Sequence, residues 1–311
     1  MSVVDFARFV DELATQSGQA ILPFFRAAFA TEDKAKGAAA FDPVTEADRA
    51  GEAVMRQLIK RSFPDHGILG EEFGSEHEDA EYVWVLDPID GTRGFIAGLP
   101  IWGTLIGLTR GGVPCYGLMN QPFTGERFFG DGEAAHYKGP HGSRRLRTRR
   151  KGDIAEAILH TTDPRLFGEG TNRQAYDRVE RAVRLSRYGA DCYAYAMLAA
   201  GHIDLVVEAE LKPYDIVAMI PVIEGAGGIV TTWEGESAAK GGRIVAAGDK
   251  RLHEAAQASR SLGEARRHGA PVTTAARAYQ SAHPRRCPRH RRGAGDALDR
   301  RLPAPIRRGV T

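Results

Sequence analysis

Acidic residues at a few well-separated places, and one short turn, hold the chemistry this sequence can offer. In Tyr82–Pro100, YVWVLDPIDGTRGFIAGLP, the apolar run Val83-Trp84-Val85-Leu86 has the length and composition of a buried strand, and Asp87 sits at its end. Pro88 cannot donate to a ladder, so the chain is expected to turn there. Asp90 follows three residues after Asp87, and Gly91-Thr92 leads into a segment that can begin a helix. Two carboxylates thus reach one point beside a glycine-permissive turn with free N–H groups. Hard divalent cations want carboxylate oxygens, and such a turn or helix start suits a phosphate. Asp-Pro and Asp-Gly are also ordinary turn chemistry, so the weight of this pattern depends on carboxylates elsewhere.

Three other stretches supply them. His66–Gly74, HGILGEEFG, reads as a strand end that exposes one carboxylate, at Glu71. A helix predicted over residues 213–226, PYDIVAMIPVIEGA, has Pro213 near its start and Asp215 in its first turn. Asp48 falls in the first turn of another helix, predicted from about Pro43-Val44-Thr45 to Phe63-Pro64, where the dipole alone would favour a carboxylate. Glu71, Asp87, Asp90 and Asp215, with Asp48 nearby, make an acidic set with no histidine partner. All-oxygen ligation points to magnesium or manganese rather than zinc. Like charges gathered this closely repel unless cations neutralise them. A metal-dependent phosphoryl-transfer site is the economical inference.

Ordinary amphipathic elements must position these groups. Phe6, Phe9, Val10, Leu13, Ile21, Leu22 and Phe25 form a helical apolar stripe over residues 2–29. Residues 31–43 read as a mobile loop holding Lys34 and Lys36. Trp102–Thr109, Val113–Asn120, Arg127–Gly130 and His136–Lys138 read as successive strands of an antiparallel sheet. From Ala157 onward strands and helices alternate, ending with strands at Ile229–Thr232 and Ile244–Ala247. A strand-rich first half and an alternating second half imply two α/β lobes, about 1–150 and 151–258.

The 311 residues are 42% hydrophobic and 26% charged, which suits a soluble globular chain with a sizeable core. No apolar run reaches the ~18–20 residues of a membrane span, and the N-terminus lacks a signal-peptide pattern. Cys115, Cys192 and Cys287 lie far apart, which fits a reduced cytoplasmic setting better than a zinc or disulfide framework. Arg144, Arg145, Arg147, Arg149, Arg150 and Lys151 have no interleaved aromatics and read as a solvated loop, so nucleic acid is not the expected partner. Residues 261–311 hold twelve Arg, no Lys and three acidic residues, against 30 basic and 37 acidic residues before them. Segment 259–311, rich in Arg and Pro, is expected to be a disordered tail or the product of a shifted reading frame.

The ordered set GEE at 70–72, DPIDGT at 87–92 and PYDIVAMIPVIEGAGG at 213–228 resembles the inositol monophosphatase-like, magnesium-dependent phosphatases over roughly residues 5–258. That resemblance implies an αβαβα layered fold, a homodimer and two to three Mg²⁺ ions per site, with Mn²⁺ as a substitute. It implies that Glu71, Asp87 and the Ile89 carbonyl hold a first ion, and that Asp87, Asp90 and Asp215 hold a second. Glu71 and Thr92 would orient the attacking water, with Asp48 polarising Thr92 or binding a weaker third ion. The N–H groups of Gly91 and Thr92 would grip the phosphate.

DPIDGTRGFIAGLPIWGTLIGL and RYGADCYAYAMLAAGHIDLVVE look most like the histidinol-phosphate phosphatase branch. Inositol-specific members typically have a small residue where this chain has Asp191. An acidic side chain there, with Glu208 at a position that usually contacts substrate, suits a cationic amino alcohol better than a neutral polyol. Tyr188, Tyr193 and Tyr195 could flank an imidazole or cover a cation, or simply pack. Arg187 could contact phosphate or balance Asp191. The expected reaction is hydrolysis of L-histidinol phosphate, a small phosphate ester. Myo-inositol-1-phosphate, or another sugar or nucleotide phosphate, is the nearest alternative. An RNA- or transcription-associated regulator is the reading from another class.

Overall fold

The computed structural model describes residues 6–27, 31–33 and 43–261. The apolar stripe near the N-terminus forms helix α1 (Phe6–Ile21), continued by a 3-10 turn at Leu22–Phe24. Thr31–Asp33 (β1) and Pro43–Thr45 (β2) pair as a short antiparallel ribbon. Helix α2 therefore starts at Glu46, not at Pro43, and runs to Ser62. β-Branched Val44 and Thr45 suit the extended chain, and the acidic first turn at Glu46 and Asp48 suits the helix start. Lys34 and Lys36 lie outside the described residues.

The first sheet follows in β3 (Gly67–Gly70), β4 (Gly74–Glu76) and β5 (Tyr82–Asp90), with short helix α3 (Thr92–Ile96) next. It continues through β6 (Gly103–Arg110), β7 (Val113–Gln121), β8 (Glu126–Gly130), β9 (Ala135–Gly139) and β10 (Gly142–Arg145). The strand order is β10-β9-β8-β7-β6-β5-β3-β4, antiparallel throughout except for the parallel β3–β5 pair.

Pro88 does not end β5. The strand runs through it to Asp90, and the register shifts from Asp87 opposite Leu105 to Asp90 opposite Gly103. Three residues on one strand are thus matched by two on the other, which is a bulge, and a bulge is where a strand tolerates proline. Residues three apart on a regular strand face opposite sides. The extra residue restores the parity and lets Asp87 and Asp90 converge. Thr104 holds the distortion by donating its hydroxyl to the Pro88 carbonyl at 2.8 Å.

The second half alternates as expected, in β11 (Ile158–Thr161), α4 (Thr171–Ala182), β12 (Leu185–Tyr188), α5 (Asp191–Ala199) and β13 (Leu205–Leu211). The stretch expected as one helix over 213–226 divides into α6 (Pro213–Ile216) and α7 (Met219–Gly225). Pro221 has no N–H for the carbonyl four residues earlier, so the ladder breaks at Val217-Ala218 while both residues keep right-handed dihedrals. Strands β14 (Ile229–Thr232) and β15 (Gly242–Ala247) and helix α8 (Lys250–Ser261) complete the described chain. The second sheet has the order β12-β11-β13-β15-β14, with β12, β11 and β13 parallel and β15 antiparallel to its neighbours.

Apolar contacts stack these elements into five layers. Phe9, Leu13 and Met55 of α1 and α2 pack on Trp84, Ile106 and Leu118 of the first sheet. Helices α5, α6 and α7 fill the space between the sheets, with Leu198, Ile216 and Val222 against Leu105, Met119, Val206 and Ile244. Tyr176 of α4 and Leu252 of α8 cover the far face at Leu159 and Val207. The fold is the αβαβα sandwich. Its middle layer rests on a glycine floor: a Cβ at Gly117 would come within 1.7 Å of the Ala218 carbonyl oxygen, and one at Gly107 within 2.9 Å of Val217. Among the described residues, no helix is long and apolar enough to cross a membrane.

The basic stretch at 144–151 is not merely solvated. Arg149 closes a two-pronged ion pair on fully buried Asp204, at 2.7 and 2.8 Å, and Asp204 also accepts the Ile158 N–H at 2.8 Å. Arg144 lies 4.1 Å over the ring of Tyr137. Asp204→Ala is expected to lower stability by about 2–3 kcal/mol, because it strands the Ile158 N–H and leaves Arg149 only the His202 carbonyl. Chemical denaturation of the purified variant measures this. The expectation fails if the midpoint does not move.

Candidate active site

The turn after β3, the bulged end of β5, the start of α5, and the junction of β13 with α6 meet around a cleft of about 280 Å³. Glu71 enters from the turn after Gly70, its N–H bonded to the Leu86 carbonyl at 3.2 Å, so neighbouring parallel strands set its position against Asp87. Asp87 and Asp90 come from β5, and Asp215 comes from the first turn of α6. One oxygen from each of Asp87, Asp90 and Asp215 can be chosen so that all three lie within 4.8 Å of one another.

The electrostatics of this trio is unfavourable in the bare protein. Burial first, then the charges of Glu71, Asp90, Asp215 and Asp48, push the Asp87 carboxyl well above its ordinary range. Burial and then Asp191 and Asp215 raise Asp90, although Asp90 accepts the Cys192 N–H at 2.6 Å. Asp215 is pushed up to about 7, chiefly by burial, against the stabilising N–H of Lys212 at 2.6 Å. Asp87 is 1% exposed, and its Oδ1 has no hydrogen-bond partner among the described residues. A buried acceptor left without a donor, in a knot of like charges, fits a hard cation.

The other predicted residues divide clearly. Gly91 takes the left-handed conformation at φ 88°, which turns the chain from β5 into α3. A Cβ there would lie 3.2 Å from the Trp102 backbone and 3.4 Å from Asp191. Thr92 lines the cleft and donates its hydroxyl to the Ile89 carbonyl at 3.1 Å, while the Ile89 side chain is buried beside Phe95 and Trp102. Asp48 is 1% exposed and acts on the Asp87 charge without itself lining the cleft.

Asp191 and Glu208 both line it. Asp191 opens α5 in a positive-φ conformation, 43°, unusual for a residue with a side chain. Burial pushes its carboxyl up to about 6, with the Arg93 charge and a Thr162 hydrogen bond opposing. Glu208 reaches about 8 through burial, although Thr161, the Thr162 N–H and the Thr162 hydroxyl donate to it at 3.1, 2.6 and 3.0 Å.

Arg187 does not reach the cleft. It is exposed on β12, the edge strand of the second sheet, and leaves neither phosphate contact nor Asp191 pairing to be read from its position. Among the three tyrosines only Tyr195 lines the cleft; Tyr188 donates to Glu180 at 2.6 Å and Tyr193 to Glu126 at 2.5 Å. Arg93, Thr162 and Lys212 also line the cleft, three residues that no sequence motif marks. Arg93 directly follows the DPIDGT run, and Thr162 directly follows strand β11, so proximity to those elements was the available signal.

By its family and its relatives this chain is a phosphoric monoester hydrolase, and the acidic cleft is where that chemistry would take place. The chain belongs to the inositol monophosphatase family, whose sequence profile matches residues 4–264. It is 44% identical over 263 residues to the bifunctional phosphatase IMPL2, chloroplastic, of Arabidopsis thaliana, covering 81% of this chain and 73% of that protein. Identity to the histidinol-phosphatase of Mycobacterium tuberculosis is 34% over 210 residues, covering 66% and 79%. Among solved structures, an inositol monophosphatase from Zymomonas mobilis superposes with a TM-score of 0.74 at 39% identity, covering 84% of this chain and all (100%) of that one.

Proposed function

We propose that this protein hydrolyses L-histidinol phosphate to L-histidinol and phosphate. The observation that carries the reading is that Asp191, half-buried, and Glu208, buried, share the cleft with the Asp87, Asp90 and Asp215 cluster. A neutral polyol brings nothing to offset their charge, whereas the ammonium and imidazole of histidinol do. Likeness to a histidinol-phosphatase and to IMPL2 supports the same choice.

Glu71, Asp87, Asp90 and Asp215, with the Ile89 carbonyl, are the residues that would hold Mg²⁺. When bound, Mg²⁺ supplies positive charge for the phosphate and for the developing negative charge of the displacement. The chain does the rest. The N–H groups of Gly91, which caps α3, and of Thr92, its first residue, precede its first internal bond, Phe95 N–H to the Gly91 carbonyl, and would bind phosphate oxygens. Glu71 and the Thr92 hydroxyl would orient the attacking water, with Asp48 polarising Thr92 or binding a weaker third ion. Water adds to phosphorus, the ester P–O bond breaks, and the alcohol leaves with a proton.

Phosphate release from histidinol phosphate and from myo-inositol-1-phosphate, compared side by side with Mg²⁺, tests the substrate. Asp191→Ala is expected to lower kcat/KM for histidinol phosphate by about 10- to 100-fold, the usual loss when a charged hydrogen-bonding partner goes, and to change the inositol ester far less. Equal losses on the two esters would remove the case for a cationic substrate. A wild-type preference for the inositol ester, as the Zymomonas mobilis neighbour's name would suggest for that protein, would keep the hydrolase and replace its substrate.

A further inference from the structure

Glu52 is a fully buried carboxylate that lies outside the cleft lining, one helical turn after Asp48 on α2. Its oxygens face a backbone rather than solvent. Oε2 accepts the Glu72 N–H at 2.7 Å, and Oε1 accepts the Phe73 N–H at 3.2 Å. Those two N–H groups belong to the residues that follow Glu71 in the turn between β3 and β4. Arg56, one further turn along α2, donates Nε to Glu52 Oε1 at 2.7 Å and closes on the other end of the same turn. Its guanidinium bonds the Gly74 carbonyl and reaches Glu76 Oε1 at 3.0 Å.

The fit between helix and turn is tight. A Cβ at Gly70, the residue before Glu71, would fall 1.9 Å from Glu52 Oε1, so the strand end approaches this carboxylate as only glycine allows. Glu71 is thus held from both sides, by the Leu86 carbonyl through its own N–H and by Glu52 through the next two N–H groups. A buried charge is expensive unless paired and fully hydrogen-bonded, and here each partner of that charge is either Arg56 or the Glu71 turn. Asp48 and Glu52 share one face of α2 at i, i+4 spacing, so a single rigid helix sets both the Asp48 carboxylate and the turn that carries Glu71.

We propose that Glu52 is a positioning residue for the acidic cluster: clamped by Arg56, it fixes the turn that presents Glu71, and so acts on cation binding through Glu71. The inference rests on the assignment of Glu71 as a metal-binding group. Groups that orient ligands from behind typically change metal affinity by about 10- to 100-fold when removed.

The experiment titrates the full chain with Mn²⁺ alone, without substrate, and follows free Mn²⁺ by electron paramagnetic resonance. Wild type, Glu52→Gln, Glu71→Gln and the double variant are compared, with thermal midpoints recorded in chelator. Glu52→Gln is expected to weaken Mn²⁺ binding about 10-fold or more, and the double variant to bind no more weakly than Glu71→Gln. Unchanged affinity in Glu52→Gln, whatever its midpoint, would overturn the proposal by leaving Glu52 a purely structural residue. Fully additive losses would overturn it too, because Glu52 would then not act through Glu71. If Glu71→Gln alone leaves affinity unchanged, the ligand assignment itself is at fault, and the proposal falls with it. Should Glu52→Gln fail to fold, Arg56→Lys keeps the charge but gives up the guanidinium fork. It is expected to show a smaller loss of the same sign, and no loss there counts against the proposal.

Discussion

Asp90→Asn is expected to cut phosphate release by about 10³-fold or more while leaving the protein folded. The two halves of that outcome have different causes. Asp90 is one corner of the three-carboxylate cluster, and exchanging one of its oxygens for an amide removes a unit of negative charge where a cation must sit. The fold, by contrast, gains little from the charge. Burial and the neighbouring Asp191 and Asp215 already disfavour the ionised form, and an asparagine oxygen can still accept the Cys192 N–H. The thermal midpoint in chelator should therefore stay level or rise. A variant that keeps near-normal turnover would refute the metal assignment, and one that unfolds would refute the claim that Asp90 contributes little to stability.

Removing the cation should produce the second large effect, and it should depend on pH. Asp215 at about 7, Asp191 at about 6 and Glu208 at about 8 all stand above their ordinary values, with burial as the first cause in each case. A carboxyl whose folded value is raised stabilises the protein fully below its unfolded value, near 4, and loses that contribution as pH climbs through the folded value. Metal-free protein is thus expected to be most stable near pH 5 and to lose stability steadily towards pH 8. Saturating Mg²⁺ at about 100 times its Kd adds about 2.7 kcal/mol, or roughly 5–10 °C in a domain of this size. That gain should be largest at pH 8, where the carboxylates are ionised, and small at pH 5, where protons compete. Scanning calorimetry at both values, with Mg²⁺ and with chelator, decides the matter. A metal-free midpoint that rises from pH 5 to pH 8 would contradict the electrostatic account.

The cluster could be read from the sequence because its chemistry is local. Asp87 and Asp90 are three residues apart, Glu71 follows a recognisable strand, and Asp215 stands two residues after a proline that marks a helix start. What escaped was the geometry that makes the locality work. A bulge at Pro88 looks, in one dimension, like a strand that stops. Pro221 inside an apolar run hides a break because the neighbouring Ile, Val and Met residues suit either one helix or two. Arg187 lies close in sequence to Asp191, but an edge strand and the Gly189 turn separate them, and adjacency alone could not tell which would face the cleft. Glu52 was invisible for a further reason. It lies on the buried face of α2, in line with Met55 and Ile59, but a glutamate in a helix reads as a surface residue by its type, and the Glu72 and Phe73 N–H groups that it accepts come from a turn distant in sequence.

The glycine floor beneath Val217-Ala218 bears on how variants of this protein should be sorted. Gly107 and Gly117 lie opposite each other on β6 and β7, and neither lines the cleft. Asp215 stands in α6 two residues before Val217, so lifting Val217-Ala218 by the width of one methyl group displaces a corner of the acidic cluster. In a library scored by turnover alone, Gly117→Ala would fall among the lesions of the reacting centre. A protease-resistance score taken in parallel would move it to its proper group, the residues whose only task is to be small.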